Sequence, residues 1–160
     1  PKNNSLYVPF QDQCLSMTAN TKAKAGWGPR SGVMRPGIDP KKFMNLAKIN
    51  LSTGEMRVLH SQPQPANGSA LTTGGDLLFW GDLNRRFRAF DAETGKILWE
   101  SVVGGMVMTS TITYSVNGKQ YVLVNTGEGQ SVTAGPLSLT KEAMPKPVRG
   151  HNSVVVFALP

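Results

Sequence analysis

An all-β fold built from repeated four-stranded antiparallel units is what this sequence predicts, and three features point to it. Residues 76–100 (DLLFWGDLNRRFRAFDAETGKILWE) read as three short strands joined by two turns and closed by a tryptophan. Leu77 and Phe79, then Phe87 and Ala89, are read as members of half-buried strands, while Asp82-Leu83-Asn84 and Glu93-Thr94-Gly95 supply the turns. The second feature is a repeat: residues 49–58 (INLSTGEMRV) align without a gap with residues 90–99 (FDAETGKILW), at an offset of 41 residues. A period of roughly 40–45 residues carrying about four strands is that of a β-propeller, whereas helical repeats of this length would space apolar residues by three and four. The third feature is composition, with 39% hydrophobic and 17% charged residues, 17 Gly and 11 Pro. That balance suits many short strands and turns and argues against disorder or a coiled coil.

Strands are expected in three groups. In the first, residues 5–8, 43–49 and 55–59 are strands, with a long loop between Pro9 and Lys42 and no innermost strand ahead of them. The second has a full set at 70–73, 77–80, 87–90 and 97–100. In the third, 110–115 and 120–125 flank Val116-Asn117-Gly118-Lys119, where Asn-Gly is a strong hairpin signal, and 153–158 follows as a third strand. The expected organisation is one portion of a single propeller domain: a partial blade over 1–60, a full blade over 61–101, and a last blade over 102–160 that lacks its outer strand. About two and a half four-stranded blades cannot close a ring, and each blade buries its faces only against neighbours. The chain is therefore expected to be completed by a larger companion polypeptide of roughly 350–450 residues, which would also pair the open strand edges. A small open β-sandwich is the conservative alternative.

The formal net charge of +7 comes from scattered residues, with Lys41-Lys42 and Arg85-Arg86 the only adjacent basic pairs. A nucleic-acid face needs clustered charge and exposed aromatics, whereas Phe79, Phe87, Phe90 and Trp99 fall at strand positions expected to pack, so nucleic acid is not an expected partner. No apolar run approaches 18 residues, so no helical membrane span is expected. Cys14 is the one cysteine and cannot form a disulfide within the chain. It is expected to be a small packed side chain, with a bridge to a cysteine elsewhere as the rival in an exported protein.

A resemblance rests on five phrases in order: Leu6-Tyr7-Val8-Pro9 followed by Cys14; Asn67 to Gly75 (NGSALTTGG); Phe87 to Glu100 (FRAFDAETGKILWE); Asn117-Gly118-Lys119-Gln120-Tyr121-Val122; and Val155-Val156-Phe157-Ala158-Leu159-Pro160. Together these resemble the C-terminal part of the pyrroloquinoline quinone (PQQ)-dependent, or quinoprotein, alcohol and sugar dehydrogenases. The resemblance implies an eight-bladed propeller with PQQ lying across the central axis beside a Ca²⁺ ion, in a periplasmic enzyme. Its implied chemistry is oxidation of an alcohol or sugar hydroxyl by hydride transfer to the quinone, with cytochrome c or another carrier accepting the electrons. The family's aspartate base and metal ligands would lie upstream, so no catalytic or metal-ligating residue is assigned within this chain. The rival class is a non-catalytic propeller scaffold of the same family type in the periplasm.

In such a fold the site is built by loops at one end of the blades, and segments 11–42, 63–69 and 127–152 qualify. Asn67 and Gln11 are the two residues assigned to the cofactor. The resemblance puts Asn67 on the family's Trp-Asn-Gly-Gly phrase, with Ala66 in the Trp position, and Gln11 where relatives often carry an Asn near the quinone oxygens. A side-chain amide can both donate to and accept from a polar cofactor, which gives these residue types their meaning here. Asp12 reads as a solvated loop carboxylate and His60 as a surface or interface residue closing an outer strand. His151 lies nearer the funnel mouth, and Met106 and Met108 read as core packing rather than a substrate entrance. Neither histidine has a carboxylate or serine partner at a spacing that suggests a hydrolase.

Overall fold

The structure is a computed structural model that describes residues 4–17, 30–127, 137–144, 146 and 148–158. Its strands, in chain order, are β1 (Ser5–Gln11), β2 (Gln13–Met17), β3 (Arg30–Met34), β4 (Met44–Asn50), β5 (Met56–Gln62), β6 (Leu71–Thr72), β7 (Leu77–Gly81), β8 (Arg86–Asp91), β9 (Ile97–Val102), β10 (Ile112–Val116), β11 (Lys119–Thr126) and β12 (Ser153–Ala158). A short 3₁₀ turn, Pro40–Lys42, precedes β4 and is capped by the Asp39 carboxylate, which accepts from Lys41 N. The strands form sheets β1-β4-β5, β6-β7-β8-β9 and β10-β11-β12, together with the separate hairpin β2-β3. All pairings are antiparallel. The fold is a partial β-propeller with three, four and three strands in its successive blades.

The repeat read from the sequence is reproduced bond for bond. Between β8 and β9, Asp91 N donates to Lys96 O at 2.9 Å and Gly95 N to Asp91 O at 2.9 Å; between β4 and β5, Asn50 N donates to Glu55 O at 2.9 Å and Gly54 N to Asn50 O at 2.8 Å. The Asp91 carboxylate accepts from Glu93 N and Thr94 N, as the Asn50 amide oxygen accepts from Ser52 N and Thr53 N. Both turn glycines have φ of +74°, a conformation that excludes most side chains. An Asx residue, a Thr and a Gly at fixed offsets therefore encode the same turn twice.

Alternation along the middle blade explains how the sheets stack. Leu78 and Trp80 of β7, with Phe90 and Ala92, pack against Tyr7, Phe43, Met44 and Leu46 of the first sheet. Phe79, Phe87 and Ala89 point the other way, onto Val122 and Val124 of the third sheet and Val107 ahead of it. Strand alternation alone lets β8 serve both cores, with Phe87 and Ala89 on one face and Phe90 on the other. The joints are also polar: Tyr7 OH donates to Ala92 O at 2.9 Å, and Glu93 bridges Lys48 and Arg57 of the first sheet. Three sheets with two cores between them exclude the open two-layer sandwich.

The outer faces of the end sheets leave several large apolar side chains exposed. Leu6, Met56 and Val58 lie on the far side of the first sheet, and Ile112, Tyr114, Val116, Val154 and Val156 on the far side of the third, all exposed.

Three expectations need correction. The segment between Pro9 and Lys42 is not simply a loop, since it carries the β2-β3 hairpin; β2 is exposed along its whole length, so no periodic burial marks it. Cys14 sits on that strand as an exposed free thiol rather than a packed side chain. Trp99 packs edge-on against Phe157 and Phe87, with ring centroids 4.9 and 6.2 Å away, yet stays 40% exposed. It belongs to the outermost strand, beside the edge of β12 that no fourth strand covers among the described residues.

Candidate functional site

The two amides picked out by residue type come together. Gln11 ends β1, and Asn67 lies in the loop between β5 and β6, yet Gln11 Nε2 donates to Asn67 Oδ1 at 2.9 Å and to Ala66 O at 3.2 Å. They border an open concavity of about 470 Å³ whose other walls are Pro9, Phe10, Gln13, Met44 and Ala66. Ala66 itself is buried in the core between the first two blades, which roots the loop that presents Asn67.

Next to Gln11, Asp12 does not stand as a solvated carboxylate alone. It takes both ends of the Arg35 guanidinium, at 2.6 and 2.7 Å, and its backbone N donates to Phe43 O at 2.8 Å. The hydrogen bond from Arg35 holds the Asp12 carboxyl below its ordinary range. The pair ties the start of the β2-β3 hairpin to its end.

Beneath the wall lies a buried polar network. Asp82, 0% exposed, follows β7, and its carboxylate accepts from Asn84 N, Arg86 N, Gln62 Nε2 and Arg88 Nη1 at 2.8–3.1 Å. Gln62 Nε2 also donates to Gln64 O at 2.8 Å, and Leu83 N donates to Pro65 O at 2.9 Å. The turn after β7 thus holds the carbonyls just ahead of Asn67. Arg88 continues the network to Gln62 Oε1 and Glu100. Each charge here meets an opposite charge or a dipole, as burial requires.

His60 borders this network. Its ring contacts Phe90 and Trp80 at centroid distances of 5.2 and 6.4 Å, and Nε2 lies 3.2 Å from Gln62 Oε1. Burial pushes its pKa down from 6.5, with the Arg88 charge acting in the same direction and the Gln62 hydrogen bond opposing. It is an inter-blade residue. His151 is exposed with φ of +57°, and its carbonyl accepts from Thr126 Oγ1. Met106 is fully buried with Leu83, Leu137 and Met144, and Met108 packs beside them. Residues 18–29, 128–136, 145 and 147 of the expected site segments lie outside the described residues. Arg35, Gln62, Asp82 and Arg88 were not singled out by sequence, because their partners are 6 to 26 residues away across turns or between sheets.

A sequence profile of the PQQ type, described as the glucose/ethanol/alcohol dehydrogenase β-propeller domain, matches residues 42–122. The chain belongs to this quinoprotein dehydrogenase family. Its relatives include the dehydrogenase subunit of the quinone alcohol dehydrogenase of Komagataeibacter europaeus, 46% identical over 143 residues that make up 81% of this chain and 19% of that protein. The quinohemoprotein alcohol dehydrogenase of Comamonas testosteroni is 34% identical over 145 residues, 81% of this chain and 20% of that protein. Among solved structures, a europium-containing methanol dehydrogenase superposes with a TM-score of 0.77 at 24% identity, covering 99% of this chain and 31% of its own, a likeness of fold. The chain spans about a fifth of the length of these curated relatives.

PQQ is a planar tricarboxylated quinone, and the donor set on this wall suits one edge of such a molecule. Two neutral amides stand on an open concavity whose other walls are mostly apolar, and neither brings a negative charge to it. Among the described residues, no three His, Cys, Asp or Glu side chains converge as a metal cage. No helix of the described residues is long and apolar enough to cross a membrane.

Proposed function

We propose that this chain forms the C-terminal portion of a PQQ- and Ca²⁺-dependent dehydrogenase that oxidises alcohol or sugar hydroxyl groups. Bound PQQ supplies the hydride acceptor, and this chain supplies part of the wall that holds it. The observation that carries the reading is the Gln11–Asn67 amide pair on the concavity, in a chain whose relatives are quinoprotein alcohol dehydrogenases. Gln11 spends its two Nε2 hydrogens on Asn67 Oδ1 and Ala66 O and so fixes the Asn67 amide, which orients the cofactor edge by hydrogen bonding without changing charge. The base and the Ca²⁺ ligands belong to the remainder of the propeller, a companion of roughly 350–450 residues. The exposed apolar faces of the first and third sheets support a blade on either side. An apolar cleft of about 440 Å³ beside β12, lined by Leu98, Trp99 and Phe157, supports a further strand completing the last blade. We place the enzyme in the periplasm with cytochrome c as electron acceptor, as the names of two relatives, lupanine 17-hydroxylase and 1-butanol dehydrogenase, include cytochrome c.

The test is purification of the complete protein with its cofactor. Quinone absorbance, alcohol-dependent reduction of an artificial acceptor, and loss of activity to a chelator with recovery on adding Ca²⁺ are expected. A folded propeller that takes up neither quinone nor metal is instead a scaffold.

A further inference from the structure

We propose that Gly68 is a positioning residue that sets the Asn67 amide on the cofactor wall, an inference that rests on the proposed binding of PQQ there. The loop 63–70 leads into β6, and the loop 103–111 leads into β10, so both run at the inner end of adjacent blades. They touch at Gly68. A Cβ on Gly68 would lie 2.8 Å from Thr109 O and 3.7 Å from Thr109 N and C. All three are backbone atoms that no rotamer change can move aside. One residue on, Ser69 Oγ donates to Ser110 Oγ at 2.9 Å, clamping the same two loops.

Any side chain at position 68 therefore parts the loops by about half an ångström to restore an ordinary C···O contact. Asn67 is covalently next to that displacement, whereas Gln11 is held by the β1-β4 ladder of the first sheet. The 2.9 Å bond between them is the interaction such a shift lengthens first. Gly68 has no side chain to offer a ligand, so the effect of a Cβ there reaches the cofactor by displacing the loop that carries Asn67.

The experiment is a double-mutant cycle in the complete protein, stripped of cofactor and titrated with PQQ under equilibrium dialysis. Asn67→Ala, Gly68→Ala and the double variant are compared, with Gly74→Ala as the control, since a Cβ at Gly74 meets nothing within 4 Å. Gly68→Ala is expected to weaken PQQ binding about tenfold, and the double variant to match Asn67→Ala within about twofold, as for residues acting as one unit. Gly74→Ala keeps full affinity. If Gly68→Ala folds poorly, Ser110→Ala removes the clamp without adding bulk and is run through the same cycle. Unchanged affinity in Gly68→Ala, or losses that add in the double variant, overturns the positioning role while leaving the cofactor wall intact. An Asn67→Ala variant with full affinity overturns the placement of the cofactor wall and the positioning role with it, whereas an unmodified protein that binds no PQQ overturns the proposed function itself.

Discussion

Gln11 Nε2 and Asn67 Oδ1 are hydrogen-bonded at 2.9 Å although 56 residues separate them. The bond joins the end of a strand in one blade to the loop that enters the next. It also decides the orientation of the Asn67 amide, because the oxygen must face the Gln11 donor.

Replacing Asn67 with Ala is expected to leave the fold intact while weakening quinone retention by roughly 10- to 100-fold, equivalent to a lost hydrogen bond of about 1.5–3 kcal/mol to a charged acceptor. Gln11→Ala is expected to have a smaller effect in the same direction, with a stability loss under about 1 kcal/mol because water replaces the donor on this open surface. Quinone content and denaturant midpoints, measured on the same preparations, check both.

Trp99→Ala is expected to cost about 1–2 kcal/mol in this chain alone, below the 3–5 kcal/mol usual for a buried aromatic, because the ring keeps 40% of its exposure. In the completed propeller the loss should rise to about 3–5 kcal/mol, since a covering strand would bury the cleft formed with Phe157 and Leu98. Urea denaturation of both forms supplies the comparison, and equal losses would show that nothing covers Trp99.

Asp82→Ala is expected to destabilise the chain by about 2–3 kcal/mol, because Arg88, with its side chain 11% exposed, loses its buried counter-charge and keeps only the part-exposed Glu100. The double variant Asp82→Ala/Arg88→Ala should lose less than the sum of the single losses. Two-state denaturation curves for the four proteins test the coupling.

Burial holds the folded-state pKa of His60 below 6.5, so as pH falls the unfolded chain takes up this proton before the folded one does. The stability associated with neutral His60 is thus fully present above about pH 6.5 and declines as pH falls below it. The charges that bear on the ring are Arg88, which adds to the depression, and Asp82, which opposes it. His60→Gln is expected to flatten the stability profile below about pH 6.5, read from denaturation midpoints across the range.

What could be read from the residues alone was whatever is encoded locally. The Asx-Thr-Gly turn recurs at an offset of 41 residues because its hydrogen bonds all close within six residues, at Asn50 to Glu55 and again at Asp91 to Lys96. Alternation likewise marked Phe87 and Ala89 on one face of β8, whereas β7, read as half-buried, carries Leu77-Leu78-Phe79-Trp80 and buries both faces because it lies between two cores. The β2-β3 hairpin escaped notice because no burial pattern runs along β2. Cys14 and Trp99 were misjudged for a related reason: residue type indicates a preference for the interior, but exposure depends on which neighbouring strand is present. Gln11 and Asn67 were identified by residue type and by their loops, whereas their mutual bond, the Arg35 partner of Asp12 and the Asp82–Arg88 pair depend on tertiary packing.

The two turn glycines differ in one respect that reaches beyond this chain. A Cβ at Gly95 would lie 2.5 Å from Leu59 O of the preceding blade, while one at Gly54, with the same φ of +74°, meets nothing within 4 Å. The turn of the second repeat thus seats against the first sheet, whereas the turn of the first repeat meets no such neighbour among the described residues. Such a contact is heterologous: copies can add head to tail, and growth stops only when a rotation closes the series. In the proposed propeller the remaining blades would consequently act as a terminator as much as a scaffold. Kept apart from them, the chain should self-associate with rising concentration through its own two ends, a tendency visible as a concentration-dependent sedimentation coefficient.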